Sequence, residues 1–276
     1  MKTTTRLQVL FTPSLISLLS AIALIGCDVI DYHPYDTKLK GDTEINKKAI
    51  ENIERHCAGK EVIRFAVLTD TQRWYDETCD AVSSINKQPD IDFVIHCGDL
   101  TDFGATKEFE WMHRELKRWH PPYVAIIGNH DCLGTGEDVF KKMYGATNFS
   151  FNVGAYHIVC LNTNAVEYDY SVAIPDFSYI RTDRENIPDS IFHTIVTMHA
   201  PPFSEQFNNN VAEVFHKQIS LYPNLLFCLH GHTHHMNESQ LFEDNIVYYE
   251  CASAKERAYR IFTLKKDCYS YEIIHF

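Results

Sequence analysis

The chain has no internal repeat and no low-complexity tract, and it is short of basic residues, with 25 Lys and Arg against 37 Asp and Glu among 276 residues. These features, with a hydrophobic content of 45%, exclude collagen-like fibres and intrinsic disorder. The net charge of −12 argues against nucleic acid as a partner, because binding a phosphate backbone takes clustered Lys and Arg. A small anionic substrate held by metal ions is compatible with this charge. The length allows one large α/β domain or two small ones.

Long apolar runs are also scarce, which excludes a protein that crosses a membrane several times. One such run covers residues 7–25, follows the basic residues Lys2 and Arg6, and ends at a small residue directly before Cys27. The pattern resembles a bacterial lipoprotein signal, which implies cleavage before Cys27, a diacyl lipid on its sulfur and a location at the cell envelope. A transmembrane anchor is the alternative, but Pro13 and several serines interrupt the run.

Beyond Cys27 there are eight cysteines, and this even number permits disulfides. Cys97, Cys160 and Cys228 lie in apolar runs, where a free cysteine behaves as a small buried hydrophobic residue. The cysteine spacings do not match a zinc knuckle. The pairing is therefore left open.

Residues 28–42 are acidic and aromatic, and we interpret them as a tether or a strap packed on the surface. Asp31, His33 and Asp36 could form a metal site there, but a solvated strap is the simpler interpretation. Residues 43–57 place apolar side chains on one face of a helix that packs on the core.

Beyond residue 60, apolar strand patterns alternate with helical ones such as 108–119. The first three strands should form a parallel sheet, since helices separate them, whereas the last three follow one another closely and look antiparallel. The predicted strands cover residues 62–68, 93–97, 123–127, 148–153, 157–162, 195–198, 225–230, 246–251, 258–264 and 269–274.

Five of these strands end in residues that can bind metals, at the edge of an α/β sheet where ligands bind. Oxygen donors come first and imidazoles come later in the chain. Histidines inside the strands or beyond the motifs, namely His96, His230 and His235, are interpreted as structural. The candidate residues are Asp70 and Gln72, then Asp99, then Asn129, His130 and Asp131, then His199, and finally His232 and His234.

This mixture of carboxylate, amide and imidazole suits divalent Mn, Fe or Zn, with Mg also possible, and it exceeds the needs of one tetrahedral zinc. Two ions about 3.5 to 4 Å apart can share a bridging carboxylate and a hydroxide nucleophile, and can hold both the attacking and leaving oxygens of a phosphoryl group. Glycines before Asp99, Asn129 and His232 would let the backbone turn sharply.

The five blocks together resemble the calcineurin-like metallophosphoesterase family over about residues 62–276. The resemblance implies a four-layer α/β/β/α fold of two mixed sheets. It also implies one metal held by Asp70, residue 72, Asp99 and His234, and a second held by Asp99, Asn129, His199 and His232. His130 would bind phosphate and protonate the leaving group, and Asp131 would orient it. The domain division is then a signal peptide (1–26), a lipidated tether with an N-terminal helix (27–60) and a metallophosphoesterase domain (61–276).

The first block departs from the commonest family pattern, because Gln72 stands where most members have histidine. We therefore predict a dinuclear phosphoester hydrolase at the cell envelope, attached to the membrane through Cys27 and acting on a small phosphoester. The alternatives are a metal-binding lipoprotein with little or no turnover, for which Gln72 is the support, and a structural lipoprotein. Monoester, diester, pyrophosphate and nucleotide substrates all stay open, because the substrate-facing loops are not decoded by one sequence.

Overall fold

The computed structural model describes residue 33 and residues 35–266 and 268–276. The predicted signal peptide, Cys27 and Asp31 lie outside these residues. Within the part that is described, no helix is long and apolar enough to cross a membrane.

The described residues form eleven strands and six α-helices in largely alternating order. The strands are β1 (Val62–Leu68), β2 (Phe93–His96), β3 (Tyr123–Ala125), β4 (Phe149–Val153), β5 (Tyr156–Leu161), β6 (His193–Met198), β7 (Leu225–His230), β8 (Asn237–Ser239), β9 (Val247–Glu250), β10 (Ala258–Lys265) and β11 (Cys268–His275). The helices are α1 (Ile45–Cys57), α2 (Tyr75–Ile85), α3 (Thr106–Leu116), α4 (Gly136–Met143), α5 (Phe177–Glu185) and α6 (Ala212–Ile219).

The strands assemble into two mixed sheets. The first has the order β11-β10-β1-β2-β3 and the second has the order β4-β5-β6-β7-β9-β8. Strands β1, β2 and β3 are parallel, as predicted, and so are β5, β6, β7 and β9. The metal-binding motifs therefore leave both sheets at the same edge.

One part of the topology prediction was wrong. Strands β10 and β11 are antiparallel, but β9 does not join them, since it lies in the second sheet, parallel to β7. The chain changes sheets between β9 and β10 through a 3-10 turn at Ala254–Glu256. The short strand β8, which pairs antiparallel with β9, was not predicted, and its polar sequence carries no strand pattern.

Three buried clusters separate four layers. The central cluster packs Phe65, Phe93 and Phe262 of the first sheet against Ile195 and Phe227 of the second. A second cluster covers the outer face of the first sheet with α2, α3 and α4, and a third covers the second sheet with α5 and α6. This arrangement confirms the predicted α/β/β/α sandwich.

Helix α1 closes one side of the sandwich. It packs on β3 and β4, and Ala49, Ile53 and Cys57 enter the central cluster, as the apolar face predicted. Asn46 donates from Nδ2 to the carbonyl of Ala125 at 2.8 Å and accepts from its N–H at 2.9 Å, so it satisfies the backbone of an edge strand. The helix of segment 27–60 is therefore part of the folded body.

The described part of the predicted tether lies on the surface as a strap over α3 and α4. The Lys40 N–H donates to Glu110 Oε1 at 2.7 Å, and Lys142 Nζ donates to Thr37 Oγ1 at 2.7 Å. All eight cysteines beyond Cys27 are free, and Cys97, Cys160 and Cys228 are fully buried, as predicted.

Candidate metal centre

The candidate residues meet where the two sheets place the carboxyl ends of their parallel strands side by side. Asp70 follows β1, Asp99 follows β2 and His199 directly follows β6. One ligand atom from each of these three residues lies within 4.8 Å of the others, and all three side chains are buried. Residues 29 to 129 positions apart in the sequence thus form one cluster that could hold a metal ion.

The backbone at this edge is held in an unusual conformation. Asp70, Asp99, His232 and His234 all have positive φ, at 51°, 58°, 76° and 67°. Non-glycine residues adopt this region at a cost, and such residues cluster at functional sites. The strain is compatible with a site in which the side-chain directions matter more than local backbone energy.

The glycines before three of the candidates leave room for their side chains. Gly98 has φ +95°, as the predicted turn requires, and a Cβ there would lie 2.6 Å from His199 Nδ1. Gly128 and Gly231 do not have positive φ, so the predicted sharp turn is wrong for them. Their role is close approach: a Cβ on Gly128 would collide with the carboxylate of Asp99, and one on Gly231 would lie 2.6 Å from Asp70 Oδ2.

One half of the site contains the residues assigned to the second metal. His199 Nε2 lies 3.0 Å from Asn129 Oδ1 and 3.3 Å from Asp99 Oδ2, and His232 Nδ1 lies 3.1 Å from the same Asn129 oxygen. Glu205, which the sequence analysis did not single out, lies 2.9 Å from Nε2 of His232. It lies in a loop after β6, and its surroundings carry no motif that would have identified it.

The other half contains the residues assigned to the first metal. Asp70 Oδ1 lies 3.2 Å from His234 Nε2, and the Gln72 amide donates from Nε2 to Asp99 Oδ2 at 3.2 Å. The Gln72 carbonyl oxygen is buried and has no hydrogen-bond partner. A buried acceptor without a donor is costly unless something cationic or protic reaches it, and a divalent ion would satisfy it. The residues present therefore fit a metal site.

Electrostatics support the same conclusion. Burial opposes the charge on Asp70, but His234, His199 and Thr69 outweigh it and lower the pKa of Asp70 to about 2. Burial likewise opposes a proton on His199, but the carboxylates of Asp99 and Asp70 raise its pKa to about 10. In the metal-free protein the imidazolium therefore supplies the positive charge that a metal would otherwise bring.

His130 lies at the rim of the site. Its backbone N–H donates to Asp99 Oδ1 at 3.0 Å, and its Nδ1 lies 2.8 Å from the backbone carbonyl of Asp102. The imidazole is only partly buried, so it is accessible to a bound substrate. Asp102, rather than Asp131, fixes the direction of the ring.

Asp131 differs from the orienting role inferred from the resemblance. Its buried carboxylate accepts hydrogen bonds from the N–H groups of Leu100, Thr101 and Gly128 and from the Thr101 hydroxyl. Burial and the charge of Asp99 raise the pKa of Asp131 to about 7. Asp131 thus ties the loop that carries Asp99 to the loop that carries Asn129, and it acts on the backbone of the site.

The histidines interpreted as structural lie outside the cluster. His96 is fully buried, bonds to the Thr71 hydroxyl at 2.9 Å, and has its pKa lowered to about 3 by burial. His230 is buried, and its pKa is lowered to about 4 for the same reason. His235 is exposed.

Comparison with known proteins identifies the family. The sequence model of the calcineurin-like phosphoesterases matches residues 63–236. The chain belongs to the calcineurin-like phosphoesterase family. The matched region contains all five blocks of the candidate site. Because the family is metal-dependent, the predicted assignment to metal-dependent phosphoesterases is confirmed at the level of the family.

Relatives in sequence are distant. A 3′,5′-cyclic-nucleotide phosphodiesterase of Nostoc sp. is 23% identical over 155 residues, which cover 53% of this chain and 57% of that protein. A probable cyclic nucleotide phosphodiesterase of Xenorhabdus bovienii is 23% identical over 128 residues, which cover 45% of this chain and 51% of that one. The aligned part thus spans little more than half the length of each relative.

Solved structures show the same fold. A dimetal phosphatase from Danio rerio superposes with a TM-score of 0.64 at 11% identity, over 78% of this phosphoesterase chain and 96% of the other. A purple acid phosphatase from yellow lupin superposes with a TM-score of 0.60 at 12% identity, over 79% of this chain and 52% of the other.

Proposed function

We propose that this member of the calcineurin-like phosphoesterase family hydrolyses small phosphoesters with the help of two divalent metal ions. The observation that carries the proposal is the convergence of Asp70, Asp99 and His199 within 4.8 Å at the junction of the two sheets. A purely structural protein would gain nothing from burying two carboxylates against each other, because burial disfavours their charged forms.

Asp99 is suited to bridge the two ions. Its Oδ2 lies 3.3 Å from His199 Nε2 and accepts from Gln72 Nε2 at 3.2 Å, so this carboxylate contacts a residue from each half of the site. One ion would take Asp70, Gln72, Asp99 and His234, and the other would take Asp99, Asn129, His199 and His232. Bound divalent ions neutralise phosphate charge and lower the pKa of water, which supplies a nucleophile at neutral pH.

The chain's own residues do the remaining work. The Asp102 carbonyl accepts from Nδ1–H of His130, which leaves Nε2 to face the substrate. Nε2 carries a transferable proton in the imidazolium form, so that form is the general acid. A general acid in this position protonates the leaving oxygen as the P–O bond breaks. The loops tied by Asp131 keep the donors in place.

A substrate and metal panel tests the proposal. Aryl phosphomonoesters, aryl phosphodiesters, pyrophosphate and 3′,5′-cyclic nucleotides would be offered to the chelated protein with Mn, Zn, Fe and Mg added in turn. Cyclic nucleotides are included because two relatives are described as cyclic nucleotide phosphodiesterases. We expect metal-dependent turnover that Asp99→Ala abolishes. Metal binding without turnover on any ester would instead favour the metal-binding lipoprotein.

We also propose that the protein works at the cell envelope as a lipoprotein anchored through Cys27. The support is the sequence pattern of residues 1–27, in which basic residues precede an apolar run and a small residue precedes the cysteine. Metabolic labelling with a fatty-acid analogue tests this. Label should enter the wild type and be lost in Cys27→Ser, and label that persists in the variant would refute the anchor.

A further inference from the structure

A cavity opens beside the candidate metal centre, and the part of its wall away from the metal ligands is assigned to no step of the proposed hydrolysis. It has a volume of about 390 Å³, within the range of about 300–1,000 Å³ common for small-molecule pockets. Gln72, His130 and His234 line it, so it is continuous with the metal centre. The other side is formed by Arg73, Trp74 and Lys255.

Trp74 presents an aromatic surface to this cavity. Its side chain is half-buried, and the ammonium of Lys255 lies 5.5 Å from the centre of the indole ring. Lys255 lines the same cavity and lies over one face of the ring, so a planar ligand can stack on that face when the lysine side chain moves aside. The exposed lysine side chain can move aside or pair with an anion.

The backbone holds this aromatic surface in a fixed position relative to the metal ligands. The Trp74 N–H donates to the Thr71 carbonyl at 3.0 Å, and its carbonyl accepts from Thr78 N–H at 2.9 Å at the start of α2. On the opposite side, Ser253 Oγ donates to the Asp70 carbonyl at 3.1 Å, which fastens the turn that carries Lys255. A ligand on Trp74 would therefore have a defined position relative to Asp70.

The charge of the cavity wall contrasts with that of the molecule. Its lining contains Arg73 and Lys255 against the single carboxylate of Glu256, in a protein whose net charge is −12. Arg73 pairs with Asp102, whose carbonyl also contacts His130. Cations beside an aromatic face favour a ligand that is both aromatic and anionic, since its ring can stack and the cations attract its negative charge.

We propose that this cavity is the subsite for a nucleobase, and that the substrates are nucleotides whose base stacks on Trp74. The inference rests on the proposed function, because it places the phosphate of the nucleotide at the metal centre. Trp74 then sets the specificity for the base, and Arg73 and Lys255 attract the anionic ligand.

Binding of two phosphonates to the Mn²⁺-loaded full chain tests the subsite. The phosphonate analogues of adenosine 5′-monophosphate and of ribose 5-phosphate differ only in the base, and neither can be cleaved by a phosphoesterase. Calorimetry should show that the adenosine compound binds between about fivefold and a hundredfold more tightly, as expected for one stacked base. Trp74→Ala should remove this preference and Trp74→Phe should keep most of it.

Trp111→Ala is the matched control. Trp111 is a half-exposed tryptophan on α3 that does not line the cavity, so its loss should leave the preference intact. Equal binding of the two phosphonates by the wild type, or a preference that survives Trp74→Ala, would overturn the subsite while leaving the proposed hydrolysis standing. If neither compound binds, the phosphate site of the proposed function fails with it.

Discussion

At the scale of single residues, the site depends on a few side chains whose roles can be separated by experiment. The imidazole of His130 is held by the backbone carbonyl of Asp102, and no side-chain hydrogen bond joins it to Asp70 or Asp99 among the described residues. We therefore expect His130→Ala to keep its metal content and to lose about 10²- to 10⁴-fold in kcat. The loss should be smaller for esters with good leaving groups, which need little protonation.

The measurement for His130 combines metal analysis with steady-state rates on aryl esters of graded leaving-group pKa. A parallel fall of metal content and rate would make His130 a ligand. His120→Ala is a suitable control, because this histidine is exposed, does not line the cavity beside the metal centre, and bonds through its backbone N–H to Asn86 Oδ1 at 2.8 Å.

Gln72 decides the character of the first metal site. Its buried carbonyl oxygen has no hydrogen-bond partner, and a neutral oxygen donor favours Mn and Mg over Zn and Fe. We expect Gln72→His to raise the affinity for Zn or Fe, and Gln72→Ala to leave one site partly empty. Metal titrations of the three proteins check this. Identical affinities in wild type and Gln72→Ala would show that the amide only donates to Asp99.

His199 should make metal binding depend on pH. Asp99 and Asp70 overcome the effect of burial and raise its pKa to about 10, so at neutral pH the metal-free protein carries a proton there. A metal can bind the imidazole only when that proton leaves. Affinity should therefore rise with pH up to about 10, and binding at pH 7.5 should release about one proton. Calorimetry in buffers of different ionisation enthalpy measures this, and no proton release would contradict it.

At the scale of elements, the sequence predicted the parallel strands of the first sheet and missed the connection between the sheets. Strands such as β1 and β7 were located from continuous apolar runs, because both of their faces are buried. The position of β9 could not be derived from proximity in the chain. Its partner β7 lies across a long loop, whereas β10, close in sequence, belongs to the other sheet.

The loops at the strand ends show a similar division. The candidate ligands could be identified from the sequence, because each of them follows an apolar run that predicts a strand. The contacts of Asp131, Asp102 and Glu205 were not, since they depend on how loops from different strands pack together. A sequence motif thus identifies the residues at the edge of a sheet, whereas the contacts among those residues depend on tertiary packing.

Substitution of Gly128 tests how closely the loops at the strand ends are packed. A Cβ there would collide with both the carboxylate and the backbone of Asp99, neither of which has room to move within the buried cluster. We expect Gly128→Ala to lower the free energy of unfolding by about 1–3 kcal/mol and to reduce metal affinity. Denaturant unfolding and metal titration measure the two effects.

Gly59→Ala separates collision from backbone strain. Gly59 has φ +73° but nothing lies within 4 Å of a Cβ placed there, and it precedes β1, whereas the ligand Asp70 follows that strand. Its substitution should cost about 1 kcal/mol of stability through strain alone and leave metal affinity unchanged. Equal metal affinities in Gly128→Ala and wild type would show that the loop can adapt.

At the scale of the whole molecule, the candidate ligands are divided between the two sheets. Asp70, Asp99 and Asn129 follow strands of the first sheet, whereas His199, His232 and His234 follow strands of the second. Bound ions would therefore strengthen the link between the sheets at this edge, where the isolated bridge between Thr69 and Ser253 also joins them. Metal binding should stabilise the entire sandwich, because ions that bind only the folded state shift the unfolding equilibrium.

The expected size of this effect follows from mass action. A free ion concentration about a hundred times Kd contributes about 2.7 kcal/mol, which for a chain of this size raises Tm by roughly 5–10 °C. Thermal unfolding of chelated and Mn²⁺-loaded protein measures the rise. Asp99→Asn should abolish the rise, because the substitution removes the carboxylate that both ions would share. The rise is measured against the chelated form of the same variant, since Asp99→Asn also removes the buried ion pair with His199. His235→Ala should retain the full rise, and a rise that persists in Asp99→Asn would place the stabilising ions elsewhere.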